Sequence, residues 1–247
     1  MKLANKICVV TGGNRGIGRS ISELFSKNGA SVIILARDEE SGEEVEKIIN
    51  KSNDKCIFIK TDIKNRDEVI IAINKIIKKF RKIDILVNNA GIIKRTPFLE
   101  ISIEEWNEIM DTNLTGTFIC CQEVLRHMIK RKEGNIINIT SFCGKTGRAY
   151  QSHYSASKAG IIALTQSLAR EFGSYGIRVN AIQAGRTKTE LIKPFMDTEL
   201  ERWKSETPLG RIATPDDIAK VALFLACDDS SYVIGETLAV NGGIYMD

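Results

Sequence analysis

The stretch Thr11-Gly12-Gly13-Asn14-Arg15-Gly16-Ile17-Gly18 follows a mostly apolar run, residues 6–10, and leads into an amphipathic one, residues 17–27. In the second run Ile17, Ile21, Leu24 and Phe25 share one helical face. A strand, a glycine-rich turn and a helix in that order form a cradle for a phosphorylated ligand. Glycine lets the chain turn tightly and the main chain come close to a pyrophosphate. The helix start offers free N–H groups and positive potential. The spacing here is Gly-x-x-x-Gly-x-Gly, not the Gly-x-Gly-x-x-Gly of the common dinucleotide fingerprint.

Outward from this turn, short apolar runs alternate with amphipathic stretches. Strands are expected over 6–10, 32–36, 56–60, 83–88, 135–140, 177–182 and 237–240. Helical spacing marks 17–27, 39–50, 66–80, 104–131 and 154–172, with two or three short pieces between 189 and 226. Strands apolar throughout are buried on both faces. The regular alternation implies right-handed crossovers. The expected fold is therefore α/β: one doubly wound parallel sheet of Rossmann type with helices on both faces. Its ligand crevice lies at the carboxyl ends of the strands. No Pro/Ser-rich linker or internal repeat divides the chain, so residues 1–247 read as a single domain.

Lys and Arg exceed Asp and Glu by 35 to 31, a net charge of +4, and both signs are interleaved. With no basic block and no aromatic platform, nucleic acid is not an expected partner. No apolar run is long enough to span a membrane. The six cysteines, Cys8, Cys56, Cys120, Cys121, Cys143 and Cys227, form no Cys-x-x-Cys pair. His127 and His153 are too few and too far apart for a metal site. With no targeting segment evident, the expectation is a reduced, cytoplasmic protein.

The glycine turn resembles the Thr-Gly-x-x-x-Gly-x-Gly signature of the short-chain dehydrogenase/reductase family. Asn88-Asn89-Ala90-Gly91, Asn113, Ser141 and Tyr154-x-x-x-Lys158 follow in the family's order, and the likeness covers essentially the whole chain. The end of the chain, Gly235-Glu236-Thr237-Leu238 with Val240-Asn241-Gly242-Gly243, is especially similar to bacterial 3-oxoacyl-(acyl-carrier-protein) reductases. The stretch 90–98 is similar instead to gluconate and deoxygluconate dehydrogenases. The resemblance implies hydride transfer between a nicotinamide cofactor and a carbonyl or secondary alcohol. The first expected substrate is a 3-oxoacyl thioester, with acyl-carrier protein as partner. A sugar acid or polyol is the alternative, in which Lys94, Arg95 and Arg186 would hold a carboxylate. A non-catalytic cofactor-binding protein is the remaining class. The family's helix pairing also implies a homotetramer.

By the same resemblance, Gly12, Asn14, Arg15, Gly16, Ile17 and Gly18 hold the cofactor's phosphates. Asp62 and Ile63 flank its adenine, Asn89 and Gly91 lie along the adenosine, and Thr187 and Thr189 meet the carboxamide. One departure stands out: Ala184 replaces the family's proline after strand six. In the family, two arginines meet the carrier protein; Lys132 and Tyr175 occupy those positions here, with Lys130, Arg131 and Arg170 nearby.

The residue ending strand two selects between NAD and NADP. A carboxylate there binds the ribose 2′-OH, and an arginine accommodates a 2′-phosphate. That residue is Arg37, and Arg15 lies within reach of the same phosphate, so NADP(H) is expected. Asp38 is the complication, one position on. Tyr154 and Lys158, four apart, share a helical face. A phenol with its pKa near 10 needs a cationic neighbour to exchange protons at neutral pH. Ser141, at the end of strand five, donates to the substrate oxygen. By resemblance, Asn113 holds a water in a relay with Lys158. The expected catalytic set is Asn113, Ser141, Tyr154 and Lys158. His153 is read as incidental and Cys143 as unreactive.

Overall fold

The computed structural model describes residues 1–51 and 55–246. Seven strands form one sheet: β1 (Ile7–Thr11), β2 (Ser31–Ala36), β3 (Lys55–Lys60), β4 (Ile85–Asn88), β5 (Gly134–Ser141), β6 (Ile177–Ala184) and β7 (Thr237–Val240). Their order is β3-β2-β1-β4-β5-β6-β7, and every neighbouring pair is parallel. The chain reverses its direction of travel between β1 and β4, which opens a crevice at their carboxyl ends. Thr11 pairs with Asn88 there, and Ser141 with Ala184 on the next strands. Edge strand β3 is only half-buried and carries Lys55 and Lys60 at its ends, charges that discourage edge-to-edge pairing.

The period-2 alternation of each strand feeds two cores. On one face, Cys8, Val10, Val32, Ile34, Ile137 and Ile182 pack against three helices. These are α1 (Gly16–Lys27), α2 (Glu39–Asn50) and α9 (Pro215–Ala226). On the other face, Val9, Ile33, Leu35, Leu86, Ile136 and Val179 meet α3 (Arg66–Phe80), α5 (Gly116–Arg131) and α7 (Ser152–Phe172). Both faces are covered, as buried parallel strands require.

A chain of paired polar side chains inside this frame locks α7 to the sheet. Asn88 Nδ2 donates to Asn138 Oδ1 at 2.8 Å, and Asn138 Nδ2 donates to Thr165 Oγ1 at 2.9 Å. Thr140 Oγ1 donates to the Lys158 carbonyl at 2.8 Å. At the opposite end of the sheet, the buried Asp84 carboxylate accepts from Ile7 N at 2.8 Å and Arg131 Nη2 at 2.8 Å. It also pairs with Lys82 at 2.9 Å. These partners hold its carboxyl below the usual carboxylate range, against burial, the largest single influence, which pushes upward.

Three expected elements differ. The helical stretch expected over 104–131 is interrupted: α4 (Ile103–Met110) runs into a π-helical turn, Asp111–Thr115, before α5 begins. Wide turns of this kind recur at functional sites, and this one carries Asn113. Strand six runs two residues further than expected, through Ala184. The Phe142 amide donates to the Ala184 carbonyl at 3.2 Å and the Gly185 amide to Val240 O at 2.9 Å. Sheet pairing on both sides thus holds the segment where the family has proline. Strand four starts at Ile85, after Asp84 has turned its carboxylate to the start of β1. Between β5 and α7 lies a short helix, α6 (Cys143–Thr146), and the region 189–226 contains α8 (Met196–Ser205) as well as α9. No helix among the described residues is long and apolar enough to cross a membrane.

Candidate active site

A cleft of about 610 Å³ opens at the carboxyl ends of the strands. It is lined by Arg15 and Arg37 near β2, by Ser141, Tyr154 and Lys158, and by Arg95, Arg148 and Arg186 near α8. The glycine turn forms part of its wall. Gly12 has φ +61°, and a Cβ at Gly18 would stand 2.1 Å from the Gly12 carbonyl oxygen. Neither position tolerates a side chain without moving the turn. The N-termini of α2, α3, α4 and α9 are capped by Asp38, Asn65, Ser102 and Thr214. The first residue before α1 is Arg15, whose side chain caps nothing, and the first turn of α1 has no acidic residue. Gly16 and Ile17, the first residues of α1, line the cleft, and uncapped N–H groups at such a helix start are a donor set suited to a pyrophosphate.

Thr11 organises the turn from behind. Its Oγ1 accepts from the amides of Asn89 at 3.0 Å and Ala90 at 3.1 Å. Asn89 Nδ2 donates to the carbonyls of Thr11 and Gly12, each at 3.1 Å. Asn89 thus braces the glycine turn as well as lining the cleft. Asn14, largely buried, donates to Ser41 Oγ at 2.7 Å and ties the turn to α2. Ile17, Asp62, Ile63 and Gly91 also line the cleft.

Strand β2 stops at Ala36, so Arg37 stands one residue past its end. Asp38 also lines the cleft, and its carboxylate caps α2, accepting from Ser41 N at 3.0 Å. That hydrogen bond holds its pKa below the usual value, with Arg15 contributing. Arg37 lies 3.9 Å from Asp62 across the cleft wall. Asp62 caps no helix; it accepts from Lys64 N at 3.0 Å, while Asn65 caps α3.

Ser141, Tyr154 and Lys158 come together at the end of β5, all buried. Burial pushes the Tyr154 phenol well above its ordinary value, with Cys143 adding and a side-chain hydrogen bond with Ser141 pulling down. Burial brings Lys158 down to about 8. Its Nζ donates to Ile139 O at 2.9 Å and sits 5.8 Å from the centre of the Tyr154 ring. Asn113, in the π-helical turn, is fully buried. Its Oδ1 accepts from Ile92 N at 2.9 Å, and its Nδ2 donates to Ile92 O and Ser157 Oγ, each at 3.0 Å. The side chain is therefore committed to clamping the chain after β4 against α7. Cys143 is buried and its thiol pushed up by burial, so it stays protonated. Thr187 Oγ1 donates to Gly185 O at 3.1 Å, and Thr189 packs over Gly16, at the glycine turn.

At the other end of the cleft the structure departs further from expectation. Lys94 pairs with Glu108 at 2.7 Å and does not line the cleft. Arg148, which no periodicity or motif marks, takes a place beside Arg95 and Arg186. His153, read as incidental to the chemistry, does not line the cleft and is buried, with Nε2 3.0 Å from Glu105 Oε1, which also accepts from Thr96 Oγ1. Thr140 and Ser157 are the other contributors unmarked by sequence motif, whereas Thr11 opens the glycine signature. Thr140 stands next to the end of β5, which is the one signal that pointed to it.

A parallel sheet with a glycine turn at its switch point and a Ser–Tyr–Lys set at the end of β5 defines a nucleotide-dependent oxidoreductase. Residues 12–245 match the family model adh_short_C2, described as enoyl-(acyl carrier protein) reductase. The chain belongs to the short-chain dehydrogenase/reductase family and is an oxidoreductase of CH–OH or keto groups. It is 43% identical over 242 residues to 3-oxoacyl-(acyl-carrier-protein) reductase FabG of Chlamydia pneumoniae, covering 98% of each chain. It is 38% identical over 246 residues to FabG of Escherichia coli K12, covering 100% of each. Among solved structures, a short-chain type dehydrogenase/reductase from Mycobacterium marinum superimposes with a TM-score of 0.95 at 32% identity, covering 100% of this chain and 98% of that one.

Proposed function

We propose that the chain is an NADP(H)-dependent 3-oxoacyl thioester reductase, with acyl-carrier protein as the natural carrier of its substrate. The carrying observation is the convergence of Ser141, Tyr154 and Lys158 in one cleft with the uncapped glycine turn. The FabG relatives, similar from end to end, support the substrate class. Bound in this cleft, NADP(H) supplies or accepts the hydride.

Gly12, Asn14, Gly16, Ile17 and Gly18 form the pyrophosphate cradle. Arg15 and Arg37 flank the 2′-phosphate, a reading supported by Asp38 being engaged as a helix cap. Asp62 and Ile63 lie at the adenine, and Asn89 and Gly91 along the adenosine. Thr187 serves the carboxamide, whereas the contact of Thr189 with Gly16 suits it to the phosphate side. In the reducing direction Ser141 donates to the substrate carbonyl oxygen, and the Tyr154 phenol, protonated because buried, gives that oxygen its proton. The Lys158 ammonium, predominant below pH 8, stabilises the phenolate left behind. Asn113 positions Ile92 and α7 around this set.

The same reading includes a cytoplasmic location, where the six free cysteines stay reduced, and a homotetramer. Phe118 on α5 and Tyr232 and Ile234 ahead of β7 are exposed apolar surface that assembly would cover. The test is Tyr154→Phe assayed with a 3-oxoacyl pantetheine thioester. NADPH binding, followed by fluorescence, should persist while turnover falls by roughly 10²–10⁴. Near-normal turnover in the variant overturns the proton-donor role.

A further inference from the structure

Three guanidiniums converge at the end of the cleft near α8. Arg95 comes from the segment after β4, Arg148 from that between α6 and α7, and Arg186 from that after β6. Two carboxylates answer them. Glu199 of α8 meets Arg95 at 2.5 Å and Arg148 at 3.7 Å; Glu206, just past α8, meets Arg186 at 2.5 Å. Both are also drawn to Arg202, at 2.5 and 3.7 Å. Aromatic rings pad the cluster: Phe195 lies 3.9 Å from the Arg95 guanidinium, and Phe142 and Trp203 lie 5.7 and 5.6 Å from that of Arg186.

Positive charge exceeds what the two carboxylates neutralise. The Arg186 side chain is only 8% exposed. The buried Nε atoms of Arg95 and Arg186 have no acceptor among the described residues. Arg148 is held below the ordinary arginine value, first by burial and then by Arg186, with Arg95 adding. Glu199 is held down to about 2, chiefly by its hydrogen bond from Arg95. Donors desolvated without acceptors are costly unless a ligand meets them.

The position of the cluster says which part of a ligand it would meet. Arg186 stands over Phe142, the residue after Ser141, and both Arg148 and Arg186 act electrostatically on Cys143. A group held there lies a few bonds from a carbonyl held by Ser141. The phosphate of a pantetheine arm lies much further from its thioester.

We propose that Arg95, Arg148 and Arg186 form a carboxylate-recognition site in the substrate pocket, selecting 3-oxoacyl thioesters whose acyl chain ends in a carboxylate, with Glu199 the internal surrogate that this group displaces. The inference rests on the thioester reading above. Arginine forks match a carboxylate in bidentate geometry. A methyl-ended chain would leave the same desolvated donors unmet.

The test compares 3-oxoadipyl and 3-oxohexanoyl pantetheine thioesters, equal in length and differing in a terminal carboxylate against a methyl. Wild-type kcat/KM should favour the carboxylated substrate by about ten- to a hundred-fold, the scale of hydrogen bonds to a charged group. Arg148→Gln should remove most of that ratio, and Glu199→Gln should lower KM for the carboxylated substrate. A wild-type ratio at or below one overturns the proposal, as does a preference indifferent to Arg148→Gln. Calorimetric titration of the NADPH-loaded enzyme with glutarate supplies a readout independent of turnover. Saturable binding weakened by Arg148→Gln is expected, and no binding overturns the site. Glutarate binding without turnover of either thioester keeps the site and overturns the 3-oxoacyl reading instead.

Discussion

Lys158→Met separates what the lysine does for catalysis from what it costs the fold. The lysine is fully enclosed, and burial lowers its pKa from 10.5 to about 8. At about 1.4 kcal/mol per pKa unit, enclosing the ammonium disfavours the folded state by about 3 kcal/mol below pH 8. Its hydrogen bond to Ile139 O, 2.9 Å long, returns about 1.5–3 kcal/mol. Methionine has similar length and adapts its shape to the pocket. The variant should therefore unfold in urea at pH 7 with a stability equal to wild type or up to about 2 kcal/mol greater, while turnover falls by roughly 10²–10⁴. The pH dependence has a definite sign. Between pH 8 and 10.5 the unfolded chain binds the Lys158 proton and the folded chain does not. Wild-type stability from this group therefore rises with pH across that window, and the advantage of the variant shrinks. A loss of more than about 1 kcal/mol at pH 7, or a stability difference that does not move between pH 7 and 10, would refute the reasoning.

Arg37→Asp should weaken NADPH binding and narrow the preference over NADH, measured as the ratio of kcat/KM values; an unmodified protein that already uses NADH equally well sinks the cofactor reading. Carrier protein should enhance turnover only weakly over the matching pantetheine thioester, and moderate salt should erase the gain. The structural reason is that Tyr175 packs its ring 6.3 Å from Phe172 and brings no charge, while Arg131 is consumed by Ile83 O, Asp84 and Glu133. A large carrier advantage that survives salt would show another docking surface.

Much of this architecture was legible in the chain. The uninterrupted apolar runs and their alternation with helical spacing led to a parallel sheet covered on both faces, because each strand must bury two sides. The glycine turn was legible because the backbone itself imposes it: φ +61° at Gly12 and the 2.1 Å approach at Gly18 admit almost nothing else. Ser141, Tyr154 and Lys158 were legible because two lie one helical turn apart and the third ends a strand.

What no local pattern carried is where separate segments meet. The π-helical turn around Asn113 depends on Ile92 and Ser157, distant in sequence, claiming its side chain. That Asp38 caps α2 was open from the sequence, since a carboxylate one residue past Arg37 suits a ribose or a helix cap, and the cap comes from the geometry of Ser41. Lys94 and Arg95 are adjacent, yet Lys94 turns to Glu108 while Arg95 turns to Glu199. Arg148, silent in every periodicity, joins Arg95 and Arg186 only because loops after three different strands converge on α8. Local backbone preference and burial period are written residue by residue, and the sequence by itself determined the sheet, the turn and the placing of Ser141, Tyr154 and Lys158 at one strand end. The charge balance of the substrate pocket depends on contacts between residues up to about a hundred positions apart, and only the tertiary structure decided it.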